Sequence, residues 1–234
     1  MKVGSEHGVL AGRDLGWKAL PVIAGSHAQR NAAPRPEAKK MKGSADICAI
    51  QAARAAFPAG LEQPEGAFRF SADALLLARF AAEQALPEGT ALAELGAGCG
   101  VVSLAVLLEK PEWRAVGLER EAVLAEAAER NAAGLGLSEA FTPLCGDVTK
   151  RDDLRRMRAR LAEQCGAGEA LPMFDCVTAN PPWRVEGAGR VPPSGLRRRA
   201  LFGTPDTFRE FFSAADALLK NGGLLAAVSG AERT

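Results

Sequence analysis

The sequence predicts an α/β fold built on a doubly wound parallel sheet. From Ala91 onward, short apolar runs typical of buried strands alternate with segments of helical pattern, which is the arrangement of a parallel sheet. A glycine cluster follows the first of these runs, as expected where a strand turns tightly into a helix. With 234 residues, 47% of them hydrophobic, the chain can bury one large core.

The first 44 residues predict a disordered leader. They carry Gly, Pro, Ala and scattered basic residues without helical or strand periodicity. The segment is basic, with eight Lys and Arg against three Asp and Glu. It is predicted to be either an arm that contacts RNA or a segment without function, and in the second case translation begins at Met41. Residues 45–234 are predicted to form one domain, in which the first helix spans about residues 72–85.

Composition excludes several classes of function. The net charge of +1 gives no overall electrostatic reason to bind nucleic acid, so any basic surface must be local. Both histidines, His7 and His27, fall in the leader, and no metal site is predicted. The five cysteines lack C-x-x-C spacing, and no apolar run approaches the roughly 20 residues of a membrane span. The chain is therefore predicted to be cytoplasmic.

The glycine cluster lies between a predicted strand, Ala91–Leu95, and a predicted helix that begins at Val101. Glycines lack a Cβ, so a ligand can approach the backbone, and the helix presents unpaired N–H groups beside it. This is the geometry of a nucleotide site. A dinucleotide fingerprint requires glycine at position 101, so a pyrophosphate cofactor is disfavoured.

Acids follow the next two predicted strands. Strand 115–119 ends in Glu119, about twenty residues beyond the glycines, where a ribose-binding carboxylate is expected. Strand Phe141–Cys145 is followed by Gly146 and Asp147. Each acid taken alone is equally well explained as a solvated cap at a strand end.

The fourth predicted strand, Phe174–Ala179, continues into Asn180-Pro181-Pro182-Trp183. Proline keeps the preceding residue out of the helical region, so the Asn180 side chain and neighbouring carbonyls are free to accept hydrogen bonds. If the Asn180 and Pro181 oxygens accept N–H bonds from an amine, its lone pair points toward an incoming methyl group. Trp183 would stack on the flat target. The alternative is an ordinary turn with Trp183 covering the core.

Three consecutive arginines, Arg197, Arg198 and Arg199, lie in a predicted loop between Trp183 and a helix that starts at Pro205. Long connections of this kind are commonly lids or binding loops. The arginines are predicted to contact phosphates, although runs of like charge often serve only solubility.

From about Phe68 onward, these motifs together resemble the class I S-adenosylmethionine-dependent methyltransferases, which have a Rossmann-like fold. The spacing E-L-G-x-G-x-G resembles their motif I, and Asn-Pro-Pro-aromatic resembles the turn of enzymes that methylate amino or amide nitrogens. The resemblance implies S-adenosylmethionine as cofactor and assigns Asp147 to its adenine amino group. It implies catalysis by Asn180, Pro181, Pro182 and Trp183, and cofactor binding by Glu94, Gly96, Ala97, Gly98, Gly100, Glu119, Asp147 and Asn180.

A closer resemblance is to bacterial tRNA adenine-N6 methyltransferases, carried by Phe68–Leu77 and by Glu129–Ala132. It implies direct methyl transfer to adenine N6 in tRNA, and a tRNA or other nucleic acid as substrate. Three other substrates stay open: the glutamine amide of a release-factor-like protein, ribosomal RNA adenine and DNA adenine. The same Ser71 and Asp73 that resemble the family also fit a plain helix start.

The last predicted strand is 223–228. Relatives of this class continue with a helix and an antiparallel strand pair that covers its outer edge, and that pair is expected to be lacking here. An exposed apolar edge pairs readily with other chains. The expectation is therefore a truncated product or a partner that covers the edge near Leu224–Val228. A functional alternative is an impaired module that binds S-adenosylmethionine without turnover.

Overall fold

The computed structural model describes residues 44–167, 171–182, 184–185, 194–204 and 206–228. Most of the predicted leader and Trp183 lie outside these residues, so the predictions for them stay untested. The described helices are α1 (Ser44–Ala56), α2 (Ala72–Glu83), α3 (Val101–Glu109), α4 (Ala122–Gly134), α5 (Arg151–Cys165), α6 (Gly195–Leu201) and α7 (Thr207–Leu218). The described strands are β1 (Ala91–Leu95), β2 (Arg114–Glu119), β3 (Phe141–Cys145), β4 (Phe174–Ala179), β5 (Arg184–Val185), β6 (Phe202–Gly203) and β7 (Leu219–Ala227).

The main sheet has the strand order β3-β2-β1-β4-β7, and every neighbouring pair in it is parallel. The chain builds outward from β1 to β3 and then returns to place β4 and β7 on the other side. This confirms the predicted α/β, doubly wound parallel sheet. The strand order reverses between β1 and β4, and open α/β sheets bind ligands at the carboxyl ends of the strands beside such a reversal.

Helices cover both faces of the sheet because the central strands are apolar on both sides. All five residues of β1 are buried. One core joins β1, β2 and β4 to α2, α3 and α4, with Trp113 and Phe141 among its large side chains. The other core packs α5 and α7 on the opposite face, with Met157, Phe174 and Leu218 fully buried. The result is a three-layer arrangement.

Several boundaries differ from the sequence prediction. Helix α1 was not predicted. Helix α2 ends at Glu83 rather than near 85, and β7 begins at Leu219, four residues before the predicted strand. The predicted loop between Trp183 and Pro205 contains α6 and the small sheet formed by β5 and β6, and the next helix begins at Thr207. Seven residues make α6 too short for a periodic hydrophobic pattern to reveal it.

Neither a membrane-spanning helix nor a metal-binding cluster is found among the described residues. None of their helices combines the length and apolar character required to cross a membrane. Their His, Cys, Asp and Glu side chains form no cluster of three or more that could hold a metal ion.

Candidate functional site

A cleft of about 680 Å³ opens at the carboxyl ends of the central strands. This volume lies in the usual range for small-molecule and cofactor sites. Residues from α2, α6 and α7 complete its walls. The predicted site residues that line it are Glu94, Gly96, Ala97, Gly98, Glu119, Asp147, Asn180, Pro181, Pro182 and Arg199. Gly100, Arg197 and Arg198 are not among its lining residues.

All three glycines of the loop have a backbone conformation that favours glycine, but their surroundings differ. Gly96, Gly98 and Gly100 have φ values of +71°, +54° and +84°, which side chains with a Cβ rarely adopt. A Cβ on Gly100 would lie 2.9 Å from the Phe141 ring, and one on Gly96 would lie 3.3 Å from the Phe211 ring. A Cβ on Gly98 would meet no atom within 4 Å. Gly98 therefore borders open space that a ligand can occupy.

Glu119 holds this loop to the end of β2. Its Oε2 accepts the Gly98 N–H at 2.8 Å, and its Oε1 accepts the Glu121 N–H at 2.9 Å. The side chain is buried, which raises its pKa, while the two backbone N–H groups act in the opposite direction. A carboxylate oxygen has two acceptor positions, so both oxygens retain one for a ligand hydroxyl.

Glu94 is buried in β1 without a cationic partner among the described residues. Its Oε2 accepts the backbone N–H of Ser103 at 2.9 Å and the Ser103 hydroxyl. Burial raises the pKa of Glu94 to about 7, against the opposing effect of these bonds. Sequence reasoning missed Ser103, which lies in the third position of α3 and carries no recognisable motif.

Asp147 occupies a more polar position after β3. Its Oδ1 accepts the Thr149 N–H at 2.9 Å and the Thr149 hydroxyl at 2.8 Å. The backbone bond in particular lowers the pKa of Asp147, so this carboxylate is ionised at neutral pH. Its Oδ2 has no hydrogen bond among the described residues and is free to accept one from a ligand.

Asn180 is half-buried at the end of β4, and its side chain makes no hydrogen bond among the residues described. The following turn is held in place by close packing. A Cβ on Gly203 would lie 2.5 Å from the Pro182 carbonyl oxygen and 2.9 Å from the Thr207 hydroxyl. Gly203 therefore lets β6 approach the Asn-Pro-Pro turn, and no sequence pattern had indicated this contact.

Asn131 has a structural role that its sequence position did not reveal. Its side-chain oxygen accepts the Glu62 N–H at 2.7 Å, and its amide nitrogen donates to the carbonyls of Glu62 and Cys99 at 3.1 and 3.0 Å. Asn131 thus joins the segment before α2 to the glycine loop. It lies within Glu129–Ala132, which the closer resemblance had singled out.

The start of α2 faces the same cleft. Phe68, Phe70, Ser71 and Asp73 all line it. Ser71 takes the N-cap position, but its hydroxyl makes no capping bond and instead donates to Asp73 Oδ2 at 3.1 Å. Ser71 and Asp73 therefore lie where a plain helix start places them, at the N-cap and in the first turn, but without the side-chain capping bond. Both residues also line the cleft, so a role toward a ligand stays a prediction.

The three consecutive arginines do not act as a group. Arg199 pairs with Glu121, its Nε and Nη2 donating to the two carboxylate oxygens at 2.5 and 2.9 Å. Arg197 and Arg198 are exposed on α6. Phosphate contact by these arginines stays a prediction, and for Arg199 it would require release from Glu121.

Two curated relatives are similar to the chain. The release factor glutamine methyltransferase of Mycolicibacterium smegmatis is 32% identical over 171 residues, covering 71% of this chain and 55% of that protein. The protein of the same name from Caulobacter vibrioides is 31% identical over 161 residues, covering 64% and 50%. The chain spans about half the length of these relatives. Their names support the predicted methyltransferase and, with it, S-adenosylmethionine as cofactor. No family model matches the chain.

Two solved structures that the chain resembles at low identity carry the name methyltransferase. A candidate RNA methyltransferase of Pyrococcus horikoshii is 18% identical, covers 80% of this chain and 75% of its own, and gives a TM-score of 0.47. Precorrin-6y C5,15-methyltransferase of Geobacter metallireducens is 15% identical, with coverages of 73% and 68% and a TM-score of 0.47. Similarity at this level does not indicate a substrate.

Replacing Gly98 by alanine is expected to abolish binding of S-adenosylhomocysteine, because the new Cβ would enter the open cleft. Gly89→Ala is a matched control: Gly89 has a φ of +76°, a Cβ there also meets no atom within 4 Å, and the residue lies outside the cleft. Both variants should lose about 1–2 kcal/mol of stability. Calorimetric titration and urea unfolding measure the two effects. Equal affinity in the two variants would contradict the placement of the cofactor.

Replacing Glu94 by glutamine is expected to remove a pH dependence of stability. The pKa of Glu94 is about 7 when folded, above the ordinary value of 4.5. Between these values the folded state binds more protons than the unfolded state, so stability falls as pH rises through this range. The full shift corresponds to roughly 3 kcal/mol. Urea unfolding at both ends of this pH range should show that the free energy of unfolding falls more in the wild type than in Glu94→Gln. An equal change of this free energy in the two proteins would refute the raised pKa.

Proposed function

We propose that the chain is an S-adenosylmethionine-dependent N-methyltransferase that acts on a carboxamide nitrogen, the side chain of a glutamine in a protein. The main observation behind this proposal is the Asn180 side chain. It lies in the cleft that also contains the glycine loop, and it makes no hydrogen bond with another described residue. An unpartnered amide at a strand end is suited to hold another planar amide.

Methyl transfer to a carboxamide depends more on the orientation of its nitrogen than on a basic residue in the site. A carboxamide nitrogen is a poor nucleophile because its lone pair is delocalised into the carbonyl. The Asn180 side-chain oxygen and the Pro181 carbonyl would accept the two N–H groups of the target, which directs its lone pair away from them. Packing of Gly203 against the Pro182 carbonyl keeps this turn in one position. Preorganised contacts of this kind lower the barrier because they need no rearrangement during reaction.

The residues around the glycine loop fit the cofactor. S-adenosylmethionine, when bound, supplies a methyl group made electrophilic by its positively charged sulfur. The open space at Gly98 would admit its amino-acid part, Glu119 would accept ribose hydroxyls and Asp147 would accept from the adenine amino group. The buried Glu94 would face a cationic ligand, which favours its ionised form.

Two observations support a protein substrate. Both curated relatives are named for methylation of a release factor glutamine. In addition, Asp73 of α2 and Glu210 of α7 line the cleft, and the lining residue Arg199 is already paired with Glu121. Carboxylates in the cleft disfavour a polyanionic phosphate backbone.

Adenine N6 in tRNA is the second candidate. Its exocyclic amine is also planar and delocalised, so the Asn180 turn could orient it in the same way. Phe68 and Phe70 line the cleft and supply aromatic surface, and stacking on such surface is worth roughly 1–3 kcal/mol per base. The predicted Trp183 stack and the phosphate contacts of Arg197 and Arg198 would add to this. Adenine in ribosomal RNA or DNA presents the same group.

Replacing Asn180 by alanine should slow methyl transfer by about 10²–10³, or roughly 2.7–4 kcal/mol, while S-adenosylhomocysteine still binds. The control is Asn221→Ala, at an exposed asparagine of β7 outside the cleft. Single-turnover transfer and calorimetric binding give the two readouts. Wild-type transfer in the Asn180 variant would remove Asn180 from the mechanism.

The substrate is tested with radiolabelled cofactor and four acceptors offered separately: release factor, total tRNA, ribosomes and DNA. Label in a release-factor glutamine is the expected result, and a glutamine-to-alanine acceptor is its control. Label in tRNA alone would establish the second candidate instead, and its rate should fall steeply with salt because phosphate contacts release counterions. Binding of S-adenosylmethionine without label in any acceptor would leave the impaired cofactor-binding module.

A further inference from the structure

Helix α6 is attached at both ends to the walls of the cofactor cleft. At its start, the Ser194 hydroxyl donates to the Gly66 carbonyl, 128 positions away in sequence. Near its end, Arg199 forms a bidentate pair with Glu121, 78 positions away. Leu196, between these attachments, and Ala200, directly after the second, line the cleft. The helix therefore lies along the cleft rather than projecting from it.

Both attachment points belong to elements that shape the cofactor site. Gly66 lies just before Phe68, which lines the cleft. Glu121 is two residues beyond Glu119, and its backbone N–H donates to Glu119 Oε1 at 2.9 Å. The Glu121 side chain thus receives Arg199 while its backbone positions the predicted ribose-binding carboxylate. A movement of α6 that pulled on Glu121 would act directly on this end of the cleft.

The Arg199–Glu121 pair has the properties of a specific contact. Its two parallel N–H···O bonds match the planar fork of a guanidinium to a carboxylate. The Glu121 side chain is only 23% exposed, whereas the Arg199 side chain is 48% exposed. Arg197 lies on the same short helix, and its side chain has no such partner among the described residues. Of these two arginines, Arg199 is the one that holds α6 to the β2–α4 turn.

We propose that α6 is a strap across the cofactor cleft and that Arg199 and Glu121 are positioning residues that hold it closed. Cofactor exchange then requires the strap to open, and the ion pair limits how often this happens. The inference rests on the proposed function, because it takes the cleft to bind S-adenosylmethionine. It assigns Arg199 a role toward the cofactor in place of the predicted phosphate contact.

The test compares Arg199→Met and Glu121→Gln with Arg197→Met, which removes a charge from the same helix without touching the pair. Without ligand, backbone hydrogen exchange in residues 195–201 should accelerate in the first two variants only. Stopped-flow binding of S-adenosylhomocysteine should show both association and dissociation about two- to fivefold faster, the range expected for a partly exposed ion pair. The reversed pair, Glu121→Arg with Arg199→Glu, should restore slower exchange.

Three outcomes would overturn the strap. Unchanged rate constants in Arg199→Met, with the wild type binding S-adenosylhomocysteine, would refute it and leave the proposed function standing. Faster dissociation with slower association would mean that Arg199 contacts the ligand directly instead of controlling access. Failure of the wild type to bind S-adenosylhomocysteine would refute both the proposed function and the strap, and hydrogen exchange would still show whether the pair holds α6.

Discussion

The register of the parallel sheet is the constraint on which the site depends. Leu95 of β1 lies beside Leu118 of β2 and Ala179 of β4, so these three strands end at the same level. The residues that come next in the chain therefore lie together at the carboxyl edge of the sheet. They are the glycine loop after β1, Glu119 at the end of β2 and Asn180 after β4. A shift of one residue in a strand would turn its side chains to the opposite face. The buried apolar strands fix the register, and the register places the polar groups together.

Two carboxylates at this edge are buried and form no salt bridge within the described part of the chain. Glu94 is held by the backbone N–H and hydroxyl of Ser103 and by the backbone N–H of Val102, and Glu119 by the backbone N–H groups of Gly98 and Glu121. Burial is costly for the ionised form and raises both pKa values. A positively charged cofactor in this cleft would favour the ionised form of both carboxylates.

The sequence predicted the strands that carry the site well, because buried strands and glycine turns have local signals. β1 and β3 begin and end where predicted, and nine of the ten predicted site residues that line the cleft lie at the carboxyl end of a strand or in the turn that follows it. What it missed depends on contacts between distant residues. Asn131 reaches Glu62, 69 positions away, and Arg199 reaches Glu121, 78 positions away. Neither contact leaves a pattern in neighbouring residues, and α6 is too short to show helical periodicity.

The cleft separates chemistry from substrate choice. In the proposed function the Asn180 turn would recognise a planar nitrogen with two N–H groups, and a glutamine amide and an adenine amine both satisfy this requirement. Discrimination between them must therefore come from walls that do not touch the reacting nitrogen. These are the start of α2, with Phe68 and Asp73, and the start of α7, with Glu210. Aromatic surface there would favour a base, whereas carboxylates disfavour its phosphates. Because the lining of the cleft contains acids as well as aromatic rings, a base that stacked there would bring its phosphates toward carboxylates, and this supports the peptide amide as the proposed substrate.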